Sequence, residues 1–507
     1  IRAVGANIPG LPGMALGRTS HISISMTNNY GDMQDLYVES LDPDNPDRYL
    51  EGKKSLPFEV IEETLKIKDK EAAGGYREEK VRIRLTSRGP VVSNVLPGLK
   101  TKKVITLRWA PAESMGPVIG ITHLLTARSD AELHDALAHL PMLCLNWVFA
   151  DAKGNIGYRA SGKLPIRSRG DGTLPHVVTC GEDNWMGWIP ETNMPHMDNP
   201  VRGWLGTCNQ KTVRHDYPIY YSSYFASSYR YRRLKELMER NEPKTADAHW
   251  RYQLDVKNLM AEKIAPVMAK ALQSDEDTRK MGEILSQWNF KDEPGLAAPT
   301  IFQATYINFA RLVFEDELGP EVTTIMLRNW YFWEERLQRM VQNGSSGWFD
   351  NHLTKEKVET LDDLFRKAGL EARSWLGARL GNDPGTWLWG KVHALELVSP
   401  LRRKGIGKDL LGSGPMPMGG SGETLCRGLY AIDNPFPVII SASLRMVVDM
   451  ADDDKILAVL PGGITGRLFS KHQKDQIEAF MEGSKMYWWF SDKAIEEHTK
   501  NVYMLKP

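Results

Sequence analysis

Residues 20–37 read SHISISMTNNYGDMQDLY. In the first half Ile22, Ile24 and Met26 alternate with His21, Ser23, Ser25 and Thr27, the period of two that marks a half-buried strand. The alternation stops at Thr27-Asn28-Asn29, and Tyr30-Gly31-Asp32 and a second acid, Asp35, follow. Two readings fit such an ending: a plain turn, or a strand end that presents polar backbone to a ligand or a metal.

The chain around this strand has 507 residues, 42% hydrophobic and 25% charged, enough for more than one compact unit. Lys+Arg and Asp+Glu both number 64, and the resulting zero net charge favours neither nucleic acid nor an anionic membrane as partner. No apolar run reaches the length of a membrane span. The opening IRAVGANIPGLPG lacks the charged-then-apolar order of a secretion signal. Cys144, Cys180, Cys208 and Cys426 form no C-x-x-C pair, which argues against a zinc ribbon or redox motif. Burial as small hydrophobes is the first expectation for them, and pairing in an exported protein the second. The aromatic clusters Trp330-Tyr331-Trp333 and Tyr487-Trp488-Trp489 read as packing before they read as a substrate pocket.

Residues 1–110 read as strands joined by turns, with KVRIRLTSRGPVVSNV and KKVITLRWA on either side of a Gly-Pro turn. The spacing predicts a short amphipathic helix over 128–140, capped by Ser129 or Asp130, and then a hairpin: NWVFA, a DAKGN turn, IGYRAS. From about 227 to 377 the period becomes helical (RYRRLKELMER, LMAEKIAPVMAKALQ, DTRKMGEILSQW, APTIFQATYINFARLVFEDEL, VETLDDLFRKAGLEARSWL). Strands return in PFPVIISASLRMVVDM and KILAVLPGGIT, and KHQKDQIEAFMEG closes the pattern as a helix. The expected organisation is a first part of a core over 1–226, a helical insertion over 227–386, and strands over 387–507. The two ends are expected to meet in one sheet system.

Several motifs fail on inspection. GYRASGKL (157–164) approaches a phosphate loop, but Leu164 stands where a hydroxyl is needed and Pro165 follows in place of a helix. DPDNPDRYLEG (42–52) lacks the glycine and terminal Glu of a calcium loop and reads as a solvated turn. GSGPMPMGGSGE (412–423) reads as a flexible surface loop. No G-x-S-x-G, S-x-x-K or H-E-x-x-H occurs. What remains is polar punctuation: Asn28, the run GWLGTCNQ (203–210), strand-like and ending in Asn209 and Gln210, and Tyr229-Arg230 at the start of a helix. Two uncharged donors and a cation suit a developing oxyanion. Turn-forming for the amides and a surface ion pair for Arg230 fit the spacing as well.

Ten stretches in order resemble the catalytic β chain of the penicillin acylase family of N-terminal nucleophile hydrolases. They are IPGLPGMALG, TNNYGDMQDLY, SRGPVV, NWVFADAKGNIGYRASGKLPIR, GDGTLP, the NP…GWLGTCNQ segment, YRYRRLKELM, LGSGPMPMGGSGET, SLRMVVDM and LPGGITGRLFSKHQKDQ. The resemblance implies an α+β fold, a four-layer αββα sandwich with a largely helical insertion. It also implies amide hydrolysis by a serine freed at the β-chain N-terminus by self-cleavage, its own α-amine acting as base; an α-amine pKa near about 8 allows this at neutral pH. By the same resemblance, Asn28 supplies a backbone oxyanion donor, Asn209 a side-chain donor and Arg230 support. Leu16, Met26 and Leu145 line an apolar acyl pocket. Asp32 and Asp35, with the carbonyls of Gln34 and Gly172, hold a structural calcium, although an aspartate expected shortly after Asp216-Tyr217-Pro218 is replaced by Tyr220, Tyr221 and Ser222. No organic cofactor is implied.

The nucleophile-bearing segment is expected a few dozen residues upstream of Ile1, since no serine here can serve as an N-terminal residue. A fragment, a catalytic strand elsewhere, or a relative that has lost its activity are the three readings this leaves. The expected partners are an N-acyl amide (a β-lactam or related acylated amine, or else an N-acyl-homoserine lactone), the α chain and the upstream part of the same precursor. A periplasmic or secreted location follows from the same resemblance.

Overall fold

The structure is a computed structural model and describes every residue except 9, 11–12, 97–98, 117–119, 179–183, 400–407, 503 and 505–507. Cys180 therefore lies outside the described residues. The chain forms two compact units, one of Ile1 with Gly5–Phe225 and one of Arg2–Val4 with Ala226–Pro507.

In the first unit the opening stretch forms the strand Ile22–Asn28, one residue longer than its alternation. It lies between Leu16–Thr19 and Leu145–Asp151, and the sheet continues through Ile156–Ala160 to His196–Asp198. The antiparallel register sets Leu145 opposite Asn28 and Asp151 opposite Ile22. Period two then divides the side chains between two faces. On one face Ile22, Ile24, Trp147 and Phe149 are buried against Leu133, Ala136 and Leu137 of the helix Asp130–Ala138. Each such large side chain removed from water contributes about 1.5–3 kcal/mol. The helix starts where the sequence predicts, with the Ser129 hydroxyl accepting from the Glu132 N–H. The other face is covered by Tyr158, Ala160, Leu164, Ile189 and Tyr221.

A second sheet centres on Gln34–Glu39, antiparallel to Val104–Trp109 and parallel to His176–Val177. The stretch 42–52, expected as a solvated turn, instead gives the strand Asn45–Glu51, paired with Lys54–Pro57. Tyr49, buried on Phe58 and Val104, draws that strand inward. Glu59–Lys68 and Tyr76–Thr86 form a long ribbon whose first strand is exposed over nearly its whole length.

The second unit is built on helices. Arg279–Ser286, Trp330–Asn343 and Leu361–Leu380 pack against Ala298–Leu327, and Leu259–Gln273 packs on those three, with Ile264, Leu272, Phe302, Phe309 and Phe365 fully buried. Ala298–Leu327 is two limbs joined at Gly319, whose φ of 72° is non-helical and which precedes Pro320. Trp330 and Trp333 sit in this core, as packing rather than pocket. Three buried acids, Asp292, Glu334 and Glu423, also belong to this unit.

From the sequence the strands after residue 387 are expected to meet the N-terminal sheet. Among the described residues they pair only with one another, Ala394–Leu397 with Ser413–Pro417 and Asn434–Ile440, and Ile456–Val459 with Arg445–Val448 and Met486–Tyr487. Trp387, Trp389, Tyr430 and Phe436 join the helical core, so helices and C-terminal strands form one unit rather than two. GSGPMPMGGSGE is not a surface loop: its first half is the strand Ser413–Pro417, and Ser421 and Glu423 are buried. Gly420 has φ +86°, and a Cβ there would stand 1.9 Å from the Cys426 carbonyl oxygen. The glycines thus serve close packing rather than freedom. Among the described residues no helix is long and apolar enough to cross a membrane.

Candidate active site

The strand end at Asn28 is where the backbone leaves its ladder. The Asn29 N–H donates to the Cys144 carbonyl at 3.2 Å, and the Leu145 carbonyl accepts from Ser161 N–H at 3.0 Å, on the side away from Asn28. Antiparallel pairs alternate between hydrogen-bonded and non-bonded, so Asn28 and Leu145 form a non-bonded pair. The Asn28 N–H and C=O therefore both face the opposite flank. On that flank the neighbouring strand pairs only Gly17 with Ile24 and Arg18 with Ser23, and stops short of Asn28.

Asn209 fills the same flank. Its side-chain Nδ2 donates to the Asn28 carbonyl at 2.9 Å. Because the N–H and C=O of a strand residue point the same way, the Asn28 N–H and the Asn209 amide stand on one side of the strand. The 203–210 run is irregular rather than the strand its sequence suggests. It is pinned by a hydroxyl contact between Thr27 and Thr207 and by the Cys208 N–H donating to Gln210 Oε1 at 2.7 Å. Asn209 itself is buried and has φ 70°, in the left-handed region. An asparagine held in that region beside a candidate site is backbone strain at a place where geometry matters.

Beneath Asn28 lies an amide network that sequence reading missed. Asn146 donates from Nδ2 to the Asn28 carbonyl at 3.1 Å and to Thr27 Oγ1 at 3.2 Å. Its Oδ1 accepts from Asn29 Nδ2 at 2.6 Å and from the Tyr158 hydroxyl at 2.7 Å. Asn29 Oδ1 accepts from the Tyr221 hydroxyl at 2.6 Å and the Gly31 N–H at 3.0 Å. Burial pushes both phenols above their ordinary range, so they remain donors. Cys144 touches the same network, and burial pushes its thiol up to about 12, which keeps it out of thiolate chemistry at neutral pH. The signal for this network was Asn146 within LNWVFA: an amide on a buried strand must be paired.

The other predicted residues divide. Met26 and Leu145 pack with Leu125 against the apolar face around Trp147, whereas Leu16, half-buried at the start of its strand, is not part of that cluster. Arg230 is the second residue of the helix Tyr229–Met238, in the second unit.

Asp32, Asp35 and Gly172 lie together, and the Gln34 N–H donates to Asp32 Oδ1 at 3.4 Å. Arg167 Nε donates to both oxygens of Asp35, at 3.1 and 2.9 Å, and the Trp185 indole N–H to Oδ2 at 2.6 Å. The Tyr220 hydroxyl donates to Asp32 Oδ2 at 3.1 Å. Burial raises the Asp32 carboxyl from its ordinary value, against the opposing pull of Arg167. These neighbours are hydrogen-bond donors, the reverse of the oxygen acceptors that a calcium ion collects.

The arrangement has the mixed helix and sheet of a known N-terminal nucleophile hydrolase. The thermostable penicillin G acylase from Alcaligenes faecalis superposes with a TM-score of 0.73 over 100% of this chain and 94% of that one, at 16% identity. The penicillin amidase family model matches residues 1–497, and the chain belongs to that family. It is similar to the acyl-homoserine lactone acylase QuiP of Pseudomonas aeruginosa, 27% identical over 98% of this chain and 62% of the relative. It is also similar to the penicillin acylase 2 proenzyme of a Pseudomonas species, 24% identical over 93% of this chain and 59% of the relative. The chain thus spans about three fifths of the length of the curated relatives it matches.

Proposed function

We propose that this chain is the larger part of an amidohydrolase that cleaves an N-acyl amide through an acyl-enzyme, within a four-layer αββα sandwich. One observation carries the reading: the Asn28 N–H and the Asn209 amide lie on one flank of a strand that ends there. In the proposed reaction a serine hydroxyl, from an upstream segment of the same precursor, attacks the amide carbon. The serine's own α-amine takes the hydroxyl proton. The carbonyl oxygen gains the negative charge, and Asn28 N–H and Asn209 Nδ2 stabilise it. The C–N bond breaks as the α-ammonium returns the proton to the leaving amine, and water then releases the acid. Met26 and Leu145 supply an apolar wall for an aliphatic or aryl-acetyl group. Self-cleavage of the precursor and a location outside the cytoplasm complete the proposal.

Within this class the acyl-homoserine lactone reading has its own support, since the relative that matches 98% of the chain carries that name. The experiment is to express the full-length gene, determine the N-terminus and intact mass of the mature chains, and assay amides of graded acyl length. A heavy chain beginning with Ser ahead of Ile1 is expected. Turnover peaking at long straight acyl chains would select the lactone acylase, and a peak at phenylacetyl the penicillin type. A mature protein without an N-terminal Ser, Thr or Cys would overturn the hydrolase reading.

A further inference from the structure

Two acids just past the end of a site-bearing strand invite a metal, and the groups around them decide whether one is needed. We propose that this cluster is a metal-free brace: the Arg167 guanidinium and the Tyr220 hydroxyl hold Asp32 and Asp35, and calcium has no part in the fold.

Calcium takes about 6–8 oxygen acceptors at about 2.3–2.6 Å. Asp35 is turned into donors instead. Both of its oxygens accept from Arg167 Nε, and Oδ2 accepts the Trp185 indole as well. Arg167 Nη2 lies 3.4 Å from Asp32 Oδ2 and donates to the Asp32 carbonyl at 3.4 Å, so one side chain spans both acids and the backbone between them. A third carboxylate shortly after Asp216-Tyr217-Pro218 would complete an anionic shell. The residue there that reaches Asp32 is Tyr220, a neutral hydroxyl that donates its hydrogen to the carboxylate. Its ring also lies under the guanidinium, 5.1 Å from the Arg167 carbon.

Burial makes the arrangement hard to displace. The Arg167 side chain is 4% exposed and the Asp35 side chain 1%. A buried ion pair holds when each partner is also hydrogen-bonded, and removing one partner leaves an uncompensated charge. A divalent ion entering here would meet a guanidinium at close range and would have to displace it. Gly172 closes the remaining side: a Cβ on it would stand 1.9 Å from Asp32 Oδ2 and 2.8 Å from Arg167 Nη2. Two carboxylates and one guanidinium leave a single formal negative charge, and His176 Nε2 lies 3.8 Å from Asp35 Oδ1. The brace has a mechanical role. The Asp32 N–H donates to the Tyr221 carbonyl at 2.9 Å, and Tyr221 in turn holds Asn29. Arg167 thus braces the segment that follows the strand end.

The test is thermal and does not depend on activity. The purified protein is melted in millimolar EDTA and in millimolar calcium chloride, and calcium chloride is titrated into it by calorimetry. Identical melting temperatures and no binding heat are expected, with Arg167→Gln melting roughly 10 °C lower. A melting temperature that falls on chelation or rises with calcium would overturn the proposal, and so would Arg167→Gln melting with the parent. If Arg167→Gln does not fold, Tyr220→Asp decides. It replaces a donor by an acceptor and is expected to gain a calcium-dependent rise in melting temperature. Continued indifference to calcium would remove the donor set as the reason.

Discussion

Two buried polar regions, one in each unit, are built on opposite principles. Around Asn29 and Asn146 the groups are neutral amides and phenols, and the amide oxygens of both residues are paired within the protein. In the helical unit Asp292, Glu334 and Glu423 are buried acids, and Asp292 Oδ1, Glu334 Oε1 and the Tyr229 and Tyr306 hydroxyls have no hydrogen-bond partner among the described residues. Burial pushes Asp292 up to about 7, against hydrogen bonds from the Ser421 side chain and from Asn258 Nδ2, the latter at 3.0 Å. Burial, with Glu423 next in importance, drives Glu334 well above its ordinary range. Amides keep their donors at every working pH, whereas buried acids titrate. A strand end that must hold a fixed geometry is better supported by the first kind.

The sharpest way to break the comparison is Asn209→Ala. If the donor acts on an oxyanion, kcat falls about 10²–10³-fold, or about 3–4 kcal/mol. The melting temperature should fall by only a few degrees, the cost of placing alanine at φ 70°, because Asn146 still donates to the Asn28 carbonyl. A large thermal loss with turnover per folded molecule intact would make Asn209 a structural residue. Next in size is Asn29→Ala, which strips partners from Asn146 Oδ1, the Tyr221 hydroxyl and the Gly31 N–H. About 3 kcal/mol or more of stability should be lost, read by chemical denaturation.

The acids predict a pH dependence. Folded Asp292 keeps its proton up to about 7, while the unfolded residue loses it near 3.8, so between these values the native state binds more protons. Its contribution to stability is therefore full at low pH and is lost as pH rises through that window. His393 runs the other way: burial lowers it to about 4 from 6.5, so its contribution is lost as pH falls through that range. Asp292→Asn should make the slope of stability against pH more positive between about 4 and 7, and equilibrium unfolding at several pH values checks it. An unchanged slope would show that Asp292 is already ionised in the native state. The smallest effect expected is for Met26→Ala. Shortening an apolar wall should change the preference between acyl lengths by about tenfold, read as ratios of kcat/KM.

Much of the first unit was legible because local rules suffice there. Alternation gave the strand Ile22–Asn28 to within a residue of its end, the DAKGN turn gave the hairpin, and Ser129 capped its helix. What stayed hidden depends on long-range register. Asn146 meets Asn29 only once their strands are paired, and Arg167 reaches Asp35 across more than a hundred residues. The 412–423 stretch misled because glycines that permit close packing look the same in sequence as glycines that permit motion. Asn28 and Asn209 were named by resemblance; spacing alone left them as turn residues.

Asn209 carries a consequence for how this position can vary. Its backbone, at φ 70°, is comfortable for glycine and tolerable for asparagine and aspartate, and costly for most other residues. Its side chain must bring an N–H to the Asn28 carbonyl at 2.9 Å. Glycine meets the first demand only, aspartate offers an acceptor where a donor is required, and glutamine keeps the amide but not the conformational ease. Asparagine is the residue at which the two demands intersect. A lineage that keeps this geometry has no neutral single step away from it, and a drifted position 209 would be an early sign that the site had passed out of use.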